Sequence, residues 1–311
     1  MPRLLFHHLR ILVSTISLAM AFLSSHLSAA ECLPAQAKQE FQVLDATLFS
    51  KSSKPALSVY GIKHLPFLYA QFLWPKGTFP GAPEELHEET IRKTVSQFRA
   101  GDIVAVDIEH WPLSRAFDTP LSLVEANIPK FKRLADIMHD EVPGLKIGYY
   151  AFLPSRNYWA PVTGRQDRMT EWQEDNARLK VIPVDVIFPS LYTFYGKVDD
   201  PEYKENWVKY AKANIAQAKQ YGAPIYPVIW FQYHDSNEKI GGQPVDPGFW
   251  RLQLETLRDA GVDGVVLWGG WTAGRPGTWD ENAPWWVATK KFIENLAEEP
   301  QVTDKSSTPC G

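Results

Sequence analysis

Cysteine is nearly absent: Cys32 and Cys310 are the only two in 311 residues, one near each end. That excludes a small disulfide-stapled scaffold, and neither cysteine sits beside a His and a third polar group in the manner of a thiol nucleophile. In an oxidising compartment the two could form one bond tying the ends together. Histidine is scattered, eight in all, with no His-x-His or His-Glu-x-x-His pattern, so neither a metal-dependent hydrolase site nor any cofactor is expected. Net charge is small, formally -4, which offers nucleic acid no basic surface. No Gly-rich loop follows the first strand candidate to cradle a dinucleotide. After the first thirty residues no apolar run is long enough to span a bilayer, so no stable membrane anchor is expected.

What the chain does have begins with an export signal. Arg3, His7, His8 and Arg10 form a positive head, residues 11–23 are mostly apolar but broken by serines, and Ser28-Ala29-Ala30 supplies small residues for cleavage. A bulky Glu31 before Cys32 does not suit lipid attachment. The expectation is therefore a signal over residues 1–30, one mature domain over 31–297, and a tail over 298–311 that a Cys32–Cys310 bond could tie, two free cysteines being the alternative. Such a protein is secreted or periplasmic, and a monomer is expected.

Composition is that of an ordered globular chain, 45% hydrophobic and 22% charged, long enough for one large core. Rings are abundant, with 12 Trp, 12 Tyr and 16 Phe. Periodicity predicts helices over 35–49, 84–99, 121–139, 169–179, 202–221, 249–260 and 286–296. Between them lie strand candidates at 56–60, 65–72, 102–109, 145–150, 184–192, 225–230 and 264–268. Residues 154–161 and 232–247 read as loops, and Gly222 ends the helix before it. Strands apolar along their length alternating with helices indicate a parallel sheet covered by helices. The expected fold is an α/β (β/α) TIM-like barrel, irregular, with seven or eight strands. An open doubly wound sheet is the alternative.

The run Asp102-Ile-Val-Ala-Val-Asp-Ile-Glu-His-Trp111 places two carboxylates at the end of an apolar strand. Side chains alternate across a strand, so Asp107 and Glu109 emerge on one face with Cα atoms about 6.5 Å apart. Two carboxylates held together repel, and one can keep its proton near neutrality and act as a general acid. The plainer reading is a strand end entering a polar loop with salt bridges to Lys or Arg. Reading the other strands to their ends adds Tyr69 and Gln71, Tyr149 and Tyr150, Tyr192 and Tyr195, Trp230 with Gln232 and Tyr233, then Trp268 and Trp271. In a barrel these ends share the face where functional groups collect. An acid pair ringed by phenols and indoles suits a sugar, whose apolar faces stack on rings while its hydroxyls meet polar edges.

Four segments, Val106-Asp-Ile-Glu-His-Trp-Pro112, Ile147-Gly-Tyr-Tyr-Ala-Phe-Leu-Pro154, Phe188-Pro-Ser-Leu-Tyr192 and Gly264-Val-Val-Leu-Trp-Gly-Gly-Trp271, together resemble, in order, the hyaluronidase family of glycoside hydrolases. The similarity spans roughly residues 65–271. Where that family carries Asp-Cys-Tyr-Asn after the Pro, this chain has Ser155-Arg-Asn-Tyr158, and the family's core disulfides are missing; a distant, bacterial relative is implied. The resemblance implies hydrolysis of an N-acetylhexosamine-containing polysaccharide by a retaining, substrate-assisted route. Glu109 would protonate the leaving oxygen and later deprotonate water; Asp107 would hold the 2-acetamido group, whose carbonyl oxygen attacks the anomeric carbon. Tyr192, Tyr150 and Trp268 would wall that subsite, with Trp111, Tyr233, Trp271, Tyr69 and Gln71 as further substrate-binding candidates.

Two other readings compete. A lysozyme-like muramidase also uses Asp-x-Glu at a barrel strand end, which would make cell-wall glycan the substrate. A non-catalytic carbohydrate-binding barrel would keep the aromatic wall without a proton shuttle. A chitinase-like pattern fails, because Ala105 stands where Asp-x-Asp-x-Glu needs its first carboxylate.

Overall fold

Short aliphatic strands alternate with helices along the whole described chain. The computed structural model describes residues 40–78, 85–115, 119–196, 202–272 and 274–298; the expected leader, both cysteines and the chain past 298 lie outside the described residues. In chain order the elements are β1 (Gln42–Thr47), β2 (Lys63–His64), β3 (Phe67–Tyr69), α1 (Glu88–Val95), β4 (Ile103–Asp107), α2 (Leu121–Glu141), β5 (Lys146–Tyr149) and α3 (Trp159–Thr163). There follow α4 (Gln166–Leu179), α5 (Tyr203–Ala218), β6 (Val228–Trp230), α6 (Pro247–Asp259), β7 (Gly264–Gly269), a hairpin of β8 (Trp271–Thr272) and β9 (Arg275–Pro276), and α7 (Pro284–Glu298).

The ladders close on themselves. One runs β2-β1-β7-β6 and another β3-β4-β5, all parallel. Residues 187–193 join them on one side through single bridges, Phe188 to Tyr150 and Ile187, Ser190 and Thr193 to Ile225, Val228 and Tyr233. On the other side β2 and β3 form one stave bent at Pro66. Before the bend the Leu65 N–H donates to the Asp45 carbonyl, and after it the Pro66 carbonyl accepts from the Ala105 N–H. Proline has no N–H to give, which suits the point where a strand changes neighbours. Seven staves result among the described residues, an α/β TIM-type barrel with each successive strand beside the last.

Three expectations change. Residues 35–49 read as helix, but 42–47 are β1, paired with β7 over six residues. Five of those six are buried, so the strand is covered on both faces and lacks the polar–apolar alternation that marks a half-exposed strand. Residues 56–60 read as strand, but Leu57–Tyr60 is a 3-10 turn closed by Gly61 at φ 74°. Residues 184–192 occupy a stave position without a continuous ladder, since Pro189 interrupts the donors there.

Local chemistry sets the helix ends. Asp246 caps α6 by accepting from the Phe249 N–H at 2.9 Å, with Pro247 as its first residue. The turn after α5 stops at Gly222, φ 68°. On β4, Val104 and Val106 are wholly buried in the same cluster as Phe131 and Leu134 of α2. Burying each such side chain contributes about 1.5–3 kcal/mol. The bend into β2 is fastened by a buried carboxylate: Asp45 takes Lys54 Nζ at 2.5 Å, Thr47 Oγ1 at 2.7 Å and the Thr47 N–H at 3.0 Å.

Candidate active site

Strand registers decide which side chains share the barrel mouth. Parallel pairing sets Tyr69 beside Asp107 and Trp230 beside Trp268, and neighbours in register point the same way. Adjacent tyrosines on β5 split accordingly. Tyr149 turns outward, its hydroxyl donating to the Phe131 carbonyl of α2 at 2.7 Å, while Tyr150 turns inward and donates to Ser190 Oγ at 3.1 Å. The inward groups enclose a cavity of about 580 Å³ at the C-terminal ends of the strands, lined by Asp107, Glu109, Tyr150, Tyr192, Trp230 and Trp268 together with Phe67, Arg156, Phe194 and His234.

The two carboxylates differ in setting. Ile108 between them is fully buried on the opposite side, as strand alternation requires, so Asp107 and Glu109 both reach the cavity. Glu109 is exposed, standing two residues beyond the end of β4. Asp107 sits deeper, and its Oδ1 is enclosed without a hydrogen-bond partner. Burial pushes the Asp107 carboxyl up to about 7, and the Glu109 charge adds to the rise. A buried carboxylate with no protein donor is costly unless it keeps a proton or meets a ligand N–H or O–H.

The wall is a stack of crossed rings. Trp230 and Trp268 meet at 90° with centroids 4.8 Å apart, and Tyr192 lies 5.5 Å from both. Burial raises the phenols of Tyr150 and Tyr192 well above their ordinary value, which keeps both as neutral hydrogen-bond donors. Tyr69 stands behind Trp268 and accepts from its indole N–H at 3.3 Å. Burial also raises the Tyr69 phenol, partly offset by that bond.

Against this wall lies a cationic corner. The Arg156 guanidinium stacks 3.8 Å above the Phe194 ring, with Nη1 3.5 Å from Ser190 Oγ. His234 packs against the same ring at 4.3 Å, and its Nδ1 accepts from the Ser236 N–H at 3.1 Å. The neutral ring therefore carries its hydrogen on Nε2. Burial lowers the His234 pKa and the Arg156 charge lowers it further.

Of the ten residues singled out from sequence for catalysis or substrate binding, the fold brings Asp107, Glu109, Tyr150, Tyr192 and Trp268 to the cavity, with Tyr69 directly behind it. It leaves four out of the lining. Trp111 follows the turn at 109–110, where strand alternation no longer holds, and is buried against Trp74 and Phe131. Gln71 is exposed on the 3-10 turn of residues 70–72. Tyr233 has the opposite parity to Trp230 and is buried beside Tyr203 of α5. Trp271 follows Gly269 and Gly270, both at positive φ, and is carried onto the exposed β8–β9 hairpin. Phe194 and His234 were passed over, yet parity was available for both: Phe194 is two residues past Tyr192, and His234 four past Trp230. Arg156 carried no comparable signal, since it lies in a loop among many solvated cations.

Comparison with protein-family models and with curated proteins finds no match. Among solved structures the chain is similar to bee venom hyaluronidase, with 16% identity, 84% of this chain and 98% of that chain covered, and a TM-score of 0.56. The same bee enzyme in complex with a hyaluronic acid tetramer aligns at 14% identity over 84% and 98%, TM-score 0.50. A broad-specificity endoglucanase from an uncultured bacterium aligns at 11% identity over 82% and 81%, also at 0.50. At these identities the likeness establishes the barrel fold.

Proposed function

We propose that the chain is a glycoside hydrolase cleaving an N-acetylhexosamine-containing polysaccharide by a retaining, substrate-assisted route. The observation that carries this reading is Asp107: a half-buried carboxyl whose Oδ1 is enclosed without a hydrogen-bond partner, two residues from an exposed Glu109, against a wall of Tyr150, Tyr192 and Trp268. Its fold is shared with a hyaluronidase solved with a hyaluronic acid tetramer, which supports a glycan as ligand.

In the empty cleft the proton of the pair resides on the buried Asp107, because burial there disfavours charge. Substrate inverts that preference. An acetamido N–H donating to Asp107 stabilises its anion, and a sugar ring covering Glu109 removes the water that solvated its charge. The proton therefore belongs on Glu109 once the cleft is filled. Glu109 gives that proton to the glycosidic oxygen as the C–O bond breaks. The acetamido carbonyl oxygen takes the anomeric carbon, and Asp107 holds the N–H of the resulting oxazolinium-like ring. Water then attacks the same carbon, surrendering a proton to Glu109 as the bond to the acetamido oxygen breaks, which regenerates the acetamide and restores the original configuration. The neutral phenols of Tyr150 and Tyr192 line this space, and either could turn its hydroxyl from a protein partner to the substrate.

The test is product analysis by mass spectrometry over hyaluronan, chondroitin, chitin oligomers and peptidoglycan, comparing the parent with Glu109→Gln. The variant should lose roughly 10²–10⁴ in turnover while still binding the glycan. Unchanged turnover of a confirmed substrate removes Glu109 from the mechanism.

A further inference from the structure

Aromatic rings form a continuous track from the cavity wall to open solvent. Successive centroids run from Trp268 to Tyr192 at 5.5 Å, Tyr192 to Phe194 at 5.9 Å, Phe194 to Tyr195 at 6.3 Å, and Tyr195 to Trp159 at 4.7 Å. Exposure climbs along it, from 5% at Tyr192 and 9% at Phe194 to 40% at Tyr195 and 55% at Trp159. Tyr195 follows the fifth stave and Trp159 opens α3 after β5, so both stand above the strand ends that carry the cavity.

The outer pair is braced rather than loose. Tyr158 packs on Tyr195 at 4.3 Å, on Trp159 at 5.0 Å and on Tyr210 of α5 at 5.3 Å. Two large rings are thus held in place while about half of each stays in water, an arrangement that folding alone does not reward.

We infer that Trp159 and Tyr195 form a distal sugar-binding subsite, stacking a pyranose of the same glycan chain several residues away from the bond that is cut. The inference rests on the glycosidase reading, and it assigns that site a polymeric substrate entered along its length. Continuity with the cavity argues for this occupant: the track begins at the ring that walls the carboxylates and ends at the exposed pair without a break. Rings accept sugar faces without needing a particular hydroxyl pattern, so the subsite would contribute affinity and chain-length preference.

Affinity electrophoresis through gels containing hyaluronan, chondroitin or glycol chitin reads this directly, with the parent, Trp159→Ala, Tyr195→Ala and Trp159→Phe run side by side. Retardation by one polymer is expected for the parent, with affinity roughly two- to ten-fold weaker in each alanine variant and largely kept in Trp159→Phe. Both side chains are exposed, so circular dichroism of the variants should match the parent. Equal retardation of parent and alanine variants, or no retardation of the parent by any polymer, overturns the subsite. A platform serving a protein partner gives that same equal retardation. Because binding is read without turnover, retardation that depends on Trp159 with no cleavage in the product assay would retire the glycosidase chemistry and keep the subsite. Cleavage with unaltered retardation would do the reverse.

Discussion

Replacing Asp107 with Asn should stabilise the protein, and more so as the pH rises. The native carboxyl is pushed from an ordinary value of 3.8 up to about 7, first by burial and then by the Glu109 charge. A carboxyl raised on folding binds its proton more tightly in the native state. Its penalty is therefore absent below the unfolded value and grows until pH passes the folded value. With these two values the linkage cost is about 1.7 kcal/mol at pH 5 and about 4 kcal/mol at pH 8. Asparagine fills the same space, cannot ionise and escapes that cost. The gap between variant and parent should widen by about 2.5 kcal/mol over this range, measured as the difference in urea unfolding free energy at each pH. Repeating both curves in a Glu109→Gln background separates the causes, and most of the slope should survive because burial dominates. A gap that stays flat from pH 5 to 8 refutes the raised carboxyl and with it the account of where the proton rests in the empty cleft.

Removing the cation from the buried Asp45 should be costly: Lys54→Met leaves an unpaired charge held by Thr47 and should lose about 3–5 kcal/mol at neutral pH in chemical denaturation. Burial opposes the Asp45 charge, but hydrogen bonds from His64, Lys54 and Thr47 outweigh it and hold the carboxyl below its ordinary value, so part of the parent's stability is lost as pH falls below about 4. The parent and Lys54→Met should therefore converge in acid, and a constant difference would contradict the pairing. Gly148→Ala should destabilise by about 1–3 kcal/mol or more, because its Cβ would fall 2.2 Å from the Val186 carbonyl oxygen and 2.7 Å from the Phe188 ring. Thermal unfolding of that variant at or above the parent midpoint would show that the fifth stave can yield.

Much of the site was legible because a strand repeats every two residues. That period placed Asp107 with Glu109 and sets Phe194 behind Tyr192, whatever the surrounding tertiary structure. Legibility ended where the strand did. Trp111 and Trp271 each follow a turn or a pair of positive-φ glycines, and beyond such a point nothing local says which way a ring faces. The fold was readable from alternating strands and helices, whereas β1 was not, since a strand buried on both faces loses the alternation that distinguishes it. Arg156 shows a further limit. Its significance comes from stacking on Phe194, a residue 38 positions away, and spacing along the chain carries no trace of that contact.

The bent stave at Pro66 has a mechanical consequence. Together with the bridged residues 187–193 it divides the barrel into two shells, one of β3, β4 and β5 and one of β2, β1, β7 and β6. Asp107 rides on the first shell, and Trp230 and Trp268 ride on the second. The gap between acid and indole wall is therefore spanned by two lines, the isolated bridges of residues 187–193 and the single stave bent at Pro66. Amide exchange should be fastest along those lines among the strands. The candidate acid and the two indoles of the wall thus belong to different ladders of one barrel, and their spacing depends on how those ladders are joined.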